Sequence, residues 1–289
     1  MSSAPRFLVV EGNLRAAREA HEAAYGLSPG AAYAQSVGVI APEAVFDIAY
    51  PADEGANLPD GRGLEGYDAV FLTGSALNVY FDTPEVRRQI ELMRTVFASG
   101  TPCFGSCWGI QIGVSAAGGE VRKNPRGREV GFARRIAPTA AGAVHPLLEG
   151  RPPAFDAPAI HEDEVVTLPG EVIPLASNGM SAVQAAEIRV NGTIFWGVQY
   201  HPEFSLRELA SILRRRRELL IREGFFASME TADAHLADID ALHDAPARKD
   251  LAWKLGLDEQ VLDERRRLTE FGNFLRHVVW PNRSARGRG

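Results

Sequence analysis

What most restricts the fold of this chain is a recurring unit: a continuously apolar run, a turn of small residues, then a helix-like stretch. Arg6-Phe-Leu-Val-Val-Glu11 is apolar without alternation, as a strand buried on both faces must be. It feeds the alanine-rich residues 13–38, which break at Gly26 to Gly30. Ala44–Tyr50 alternates and adds a second strand, followed by a Gly/Pro/Asp-rich loop over 51–66. Asp68-Ala-Val-Phe-Leu-Thr73 ends at Gly74-Ser75, and a helix opens at Thr83-Pro84 and stops at Gly100. Thr101-Pro-Cys-Phe104 then runs into Gly105-Ser-Cys-Trp-Gly109 and an apolar stretch from Ile110. Such alternation predicts an α/β fold with a mostly parallel central sheet and a ligand at the carboxyl ends of its strands. Gly74 and Cys107 both fall at such ends.

From Gly118 to His201 the pattern changes to short strands at 119–122, 130–137, 164–168, 172–176, 182–190 and 193–200. These form an antiparallel segment or finish the main sheet as mixed strands. Beyond Pro202, Leu206, Leu209, Ile212, Leu213, Leu219 and Leu220 lie at helical spacing. The run Arg214–Arg217 reads as a solvated helix face, or more sharply as a surface for an acidic partner. Asp258 can cap a last helix with Val261, Leu268, Phe271, Leu275 and Val278 in one stripe. The tail from Asn282 to Gly289, rich in Arg, Gly and Ser, reads as disordered. The division expected is a domain at 1–215 and a helical extension at 216–289. That extension covers the sheet, mediates a homo-oligomer or docks a partner.

The formal charge of −6 over 289 residues argues against nucleic-acid binding. No apolar run approaches the roughly 18–20 residues a membrane span needs, and the N-terminus lacks a signal-peptide pattern, so the cytoplasm is expected. The only cysteines are Cys103 and Cys107. A disulfide between them would bend the strand end, and Cys103 reads as a buried strand residue. With scattered histidines and no second cysteine pair, neither a metal nor a cofactor is expected.

The chemistry lies in Cys107, His201 and Glu203. A strand–turn–helix elbow lifts a nucleophile off the sheet edge, and the start of a helix favours the thiolate. His201 and Glu203, spaced i, i+2 after the apolar strand Ile194–Tyr200, present both side chains on one face of an extended segment. Imidazole takes the thiol proton and returns it to the leaving group, and the carboxylate orients the ring. Attack on an acyl carbon also needs oxyanion donors. The candidates are the backbone N–H of Trp108 and the turn at Gly74, where glycine lets the backbone approach substrate closely.

Gly105-x-Cys107-x-Gly109-x-Gln111, His201-Pro-Glu203 and the Thr73-Gly-Ser75 turn together resemble the class I, triad-type glutamine amidotransferases. The likeness extends to stand-alone proteins similar to the glutaminase domain of GMP synthase. It covers about residues 5–213, with weaker echoes at Gly127–Phe132, His161–Val165 and Val198–His201. It implies a flavodoxin-like three-layer sandwich and cleavage of glutamine's γ-amide, or of a γ-glutamyl amide, through a γ-glutamyl thioester. It also implies that Gln111 and the backbone at Gly131 and Phe132 hold the substrate, with Ser75 and His161 facing it. Residues 214–289 contain no phosphate loop of an ammonia-using synthase. The chain therefore either hands ammonia to a synthase partner or is a free-standing hydrolase. The competing readings are a homoserine-type acyltransferase, which shares the Cys-Trp-Gly-x-Gln elbow, and a catalytically silent regulatory module.

Overall fold

The first apolar run forms β1 (Arg6–Val10), whose side chains leave alternately to two faces: Phe7 and Val9 to one, Leu8 and Val10 to the other. A strand buried on both sides needs helices on both sides. The computed structural model describes residues 4–170 and 172–288, the side chain of Asp60 apart. After β1 come α1 (Arg15–Tyr25), α2 (Pro29–Ile40), β2 (Val45–Ala49), β3 (Ala69–Leu72), α3 (Pro84–Ser99), β4 (Cys103–Ser106) and α4 (Trp108–Ala116). Thr83 caps α3, its hydroxyl accepting from the Val86 N–H, with Pro84 just inside and Gly100 closing the helix at φ 71°.

The second half adds β5 (Glu120–Lys123), β6 (Glu129–Pro138), β7 (Phe155–His161), β8 (Asp163–Thr167), β9 (Val172–Ser177), β10 (Ala185–Val190) and β11 (Thr193–Val198). Nine strands make one sheet in the order β2-β1-β3-β4-β11-β10-β9-β6-β7, and β5 pairs β8 apart from it. The five from β2 to β11 are parallel, but each join from β11 through β10, β9 and β6 to β7 is antiparallel. The sheet is therefore mixed, which corrects the expectation of a mostly parallel one. The cause is local: a parallel join needs a crossover of a dozen or more residues, whereas an antiparallel one can close over two. Asn191 (φ 52°) and Gly192 (φ 81°) make such a two-residue turn between β10 and β11.

On one face α2 and the C-terminal helices cover Phe7, Phe71, Phe104 and Trp196; on the other α3 and α4 cover Leu8, Val70, Leu72 and Phe195. A third cluster joins α5 (Leu206–Arg222) and α6 (Met229–Asp244) to Phe132 beside the β6–β7 edge. The expected division at 215/216 falls inside α5. The apolar stripe is buried within the chain: Leu268, Phe271, Leu275 and Val278 lie on the sheet, and Val261 joins the third cluster. Its helix is broken into short pieces with a wide π-type turn at Leu275–Val279, just before Pro281. Proline lacks the N–H and clashes with a continuous α-helix, so the turn must open there. The tail expected to be disordered is helical through Ala285. Beyond it Arg286 donates to the Tyr67 and Gly100 carbonyls at 3.3 and 3.0 Å, and Arg288 to Glu65 O at 2.8 Å. Among the described residues no helix is long and apolar enough to cross a membrane.

Candidate active site

The loops after four parallel strands converge on one cavity: Asn13 after β1, Thr73–Ala76 after β3, Cys107 after β4, and His201 with Glu203 after β11. Cys107 has φ 53° and ψ −102°, a conformation that side-chain-bearing residues rarely adopt, so the turn stores strain of about 1–3 kcal/mol. The small neighbours make it feasible. A Cβ at Gly105 would stand 2.7 Å from the Gly109 carbonyl carbon, and one at Gly109 2.9 Å from Leu72 O. The thiol thus sits immediately before the first residue of α4. Its sulfur lies 4.0 Å from Ile160 O.

His201 lines the same cavity, with Nδ1 2.6 Å from Glu203 Oε1 and the Phe204 ring stacked on it at 3.9 Å. Burial alone would lower the imidazole's pKa, but the negative charges of Glu203 and Cys107 outweigh it and lift the value to about 10. The ring therefore favours imidazolium, the form that stabilises a thiolate. Glu203 is held in turn. Ser106 Oγ donates to Oε2 at 3.0 Å, which uses its proton, so the Tyr33 hydroxyl 3.1 Å away donates to Ser106. Gly74 is packed beneath the imidazole, where a Cβ would approach His201 Cε1 to 2.5 Å. The turn at Gly74 is pinned to the end of β1. Asn13 Nδ2 donates to Gly74 O at 3.0 Å, Ala76 N–H donates to Asn13 Oδ1 at 3.2 Å, and Gly12 N–H donates to Thr73 Oγ1 at 3.0 Å.

A second, more polar cavity opens from the other side of Cys107, lined by Gln111, Arg128, Glu162, Asp163 and Arg216 among others. The two cavities share Cys107, Ser75, Ala76, Ile160 and Arg216. His201 and Gly74 belong to the first; Gln111 and His161 belong to the second.

The structure therefore brings Cys107, His201, Glu203, Gly74, Ser75, Gln111 and His161 to one two-armed site. Ser75's hydroxyl, however, donates to Gly12 O at 2.9 Å and accepts from Leu77 N–H, serving the turn itself. Trp108 begins α4 with its backbone, while its indole is buried and donates to Gln89 Oε1 at 2.8 Å. His161 is braced between Glu129 Oε2 at 2.8 Å and Asp163 O at 3.0 Å. Gly131 and Phe132 do not join them. Gly131 pairs with Ala159 in the β6–β7 ladder, and Phe132 is packed among Leu206, Leu209 and Leu213.

The arginine run departs most from expectation. Arg214 and Arg217 pair with Asp240 and Asp233 of α6, so the acidic surface they meet belongs to the same chain. Arg215 and Arg216 line the cavity instead. Burial, and after it the charge of Arg128, depresses the Arg216 guanidinium below its usual value. Among the described residues the Arg216 side chain has no hydrogen bond or ion pair. Only the helical phase of the run within α5 could have signalled this. Ser106 adjoins Cys107 in the elbow but was not singled out from the sequence; Tyr33 carried no signal. Both cysteines are free, and among the described residues no group of three His, Cys, Asp or Glu is arranged to hold a metal ion.

Residues 42–218 match the family model for class-I glutamine amidotransferases. The chain is 35% identical over 284 residues to a gamma-glutamyl-L-1-hydroxyisopropylamide hydrolase of Pseudomonas sp., covering 96% of this chain and 94% of that one. It is 32% identical over 148 residues to a glutamine-hydrolyzing GMP synthase of a Thermotoga species, covering 50% of this chain but 26% of the synthase. Its fold resembles the crystal structure of a glutamine amidotransferase from Thermotoga maritima, with a TM-score of 0.63 at 17% identity over 90% of this chain and 99% of that one. With a family match over more than half its length and a relative matched nearly end to end, this chain belongs to the class-I glutamine amidotransferase family.

Proposed function

We propose that this protein hydrolyses γ-glutamyl amides through a γ-glutamyl thioester on Cys107. The observation that carries the reading is a Cys–His–Glu constellation where two unlike cavity arms meet. The Cys107 thiolate attacks the γ-amide carbonyl carbon, and the C=O electron pair moves to oxygen, stabilised by the Gly74 and Trp108 N–H groups. On collapse the C–N bond breaks, and the leaving amine takes a proton from the His201 imidazolium. His201 then removes a proton from water, whose oxygen attacks the thioester carbon. The C–S bond breaks, releasing glutamate and regenerating the thiolate.

The polar arm takes the amino-acid head. Arg216, lacking a partner among the described residues, offers a cation to the α-carboxylate, and Asp163 and Glu162 offer anions to the α-ammonium. The arm containing His201 takes the amine, because the proton donor must lie beside the leaving nitrogen. Glutamine, releasing only ammonia, would leave that arm empty. The hydrolase relative matched nearly end to end supports an amide larger than glutamine. A synthase partner receiving ammonia is the second reading, favoured by the 148 residues shared with a GMP synthase.

The test is turnover of glutamine and a panel of γ-glutamyl alkylamides by the purified chain, reading released amine. Amides should be cleaved faster than glutamine, with Cys107→Ser at least about 10³-fold slower. Cleavage of glutamine alone, only after a synthase partner is added, would favour the second reading. No turnover of any amide would end the first.

A further inference from the structure

We infer that Gln89 and Asn13 are positioning residues that fix the spacing of the two oxyanion donors, by tying the turn at Gly74 and the head of α4 to the end of β1; this rests on the amide-hydrolase reading above. The donors proposed for that role, the N–H groups of Gly74 and Trp108, stand on separate loops. β3 and β4 are paired only as far as Leu72 and Gly105. Beyond that register, among the described residues, no hydrogen bond runs directly between residues 73–76 and 107–109, and none engages either N–H. An oxyanion needs both donors already in place, so something else must hold the distance between them.

Residues 12 and 13 are that spacer. Gly12 lies between the two loops: a Cβ there would stand 2.7 Å from Trp108 Cδ1 and 3.2 Å from Ser75 Cβ. Toward the Gly74 turn, the Gly12 N–H donates to Thr73 Oγ1 at 3.0 Å, and Ser75 Oγ donates to the Gly12 carbonyl at 2.9 Å. Asn13 closes that side. Its Nδ2 donates to Gly74 O at 3.0 Å and to Glu11 Oε1 at 2.8 Å, and its Oδ1 accepts from Ala76 N–H at 3.2 Å. Toward α4, Gln89 makes the bridge. Its Oε1 accepts from the Trp108 indole at 2.8 Å, and its Nε2 donates to the same Gly12 carbonyl at 3.1 Å. An indole N–H only donates and a carbonyl only accepts, so the amide has one workable orientation. Gln89 is 3% exposed and shares the inner face of α3 with Val86, Met93, Val96 and Phe97. An apolar side chain would fill that position without the cost of burying an amide, so packing alone does not account for a glutamine there.

The experiment compares the full-length wild type with Gln89→Met and Asn13→Ala. Methionine keeps the length of glutamine but cannot donate to Gly12 O, which cuts the bridge. Turnover of a γ-glutamyl alkylamide gives kcat, counted per active site titrated with a γ-glutamyl electrophile. Affinity for the same amide is read calorimetrically in the Cys107→Ala form of each protein. Each substitution should lower kcat at least about tenfold, since misplacing a reacting group by about 1 Å can cost about 10²-fold. Affinity should stay within about twofold, because the donors act on charge that develops in the transition state. A role in packing alone would lower the melting temperature and leave kcat per site unchanged. That result in either variant, or kcat and affinity falling together by the same factor, overturns the inference. Should Gln89→Met fail to fold, Asn13→Ala decides by the same split. Wild-type turnover separates the two readings. Turnover that either substitution leaves intact removes the brace and keeps the hydrolase; no turnover of any amide by the wild type ends the hydrolase and the brace together.

Discussion

At the scale of single residues, the two cysteines differ in environment rather than in chemistry. Cys103 is fully buried in β4, and burial pushes its thiol pKa well above the ordinary value. Cys107 stands on a strained turn against an imidazolium. A γ-glutamyl electrophile should therefore modify Cys107 and leave Cys103 untouched in the folded protein. Peptide mass spectrometry finding the label on Cys103 would relocate the nucleophile. Gly74 permits a second forecast. A methyl there must displace His201, and misplacing a reacting group by about 1 Å can cost about 10²-fold. Gly74→Ala should lower kcat/KM by about that factor while the melting temperature changes little; wild-type turnover would show the contact to be slack. The convergence of Cys107, His201 and Glu203 was legible because their types and local spacings announce the chemistry proposed for them. Tyr33 was not, because its part in holding Glu203 arises only where α2 meets the strand ends.

Among the elements, the parallel half of the sheet was readable from its unbroken apolar runs, whereas β7 passed unnoticed. Pro158 lies inside it, and proline argues against a strand unless that strand is an edge, which β7 is. The strands at 182–190 and 193–200 were legible, yet the carboxylate their hairpin buries was not. Glu187 accepts from Trp196 Nε1 at 2.8 Å and Arg189 Nε at 2.6 Å, with His145 Nε2 at 3.2 Å. Burial would raise its pKa, but these hydrogen bonds win and lower it to about 2. Because the folded value lies below the unfolded one, its stabilisation is full above about pH 4.5 and is lost as pH falls toward 2. The melting-temperature gap between wild type and Glu187→Gln should be widest near neutrality and close across that acid range. A constant gap would mean that the charge of Glu187 contributes nothing to stability.

For the whole molecule, the helices beyond residue 258 complete a layer of the sandwich. Phe271 packs within 5.0 Å of the Phe104 ring and 5.3 Å of Tyr33. Its neighbour Glu270 accepts from the Tyr200 hydroxyl at 2.8 Å and pairs with Arg151 at 2.7 Å, tying this layer to the residue just before His201. Phe271→Ala should cost about 3–5 kcal/mol in urea unfolding. A loss below about 1 kcal/mol would show that the layer is not integral. The apolar stripe was visible in the sequence. Its destination was not, because an apolar helix face fits a sheet and a second copy of the chain equally well.

That arrangement bears on synthesis. Translation delivers Cys107, His201 and Glu203 before Phe271 and Phe274 leave the ribosome. Until those two rings emerge, a nascent chain displays the bare aromatic face of Phe71 and Phe104, the kind of surface that chaperones bind.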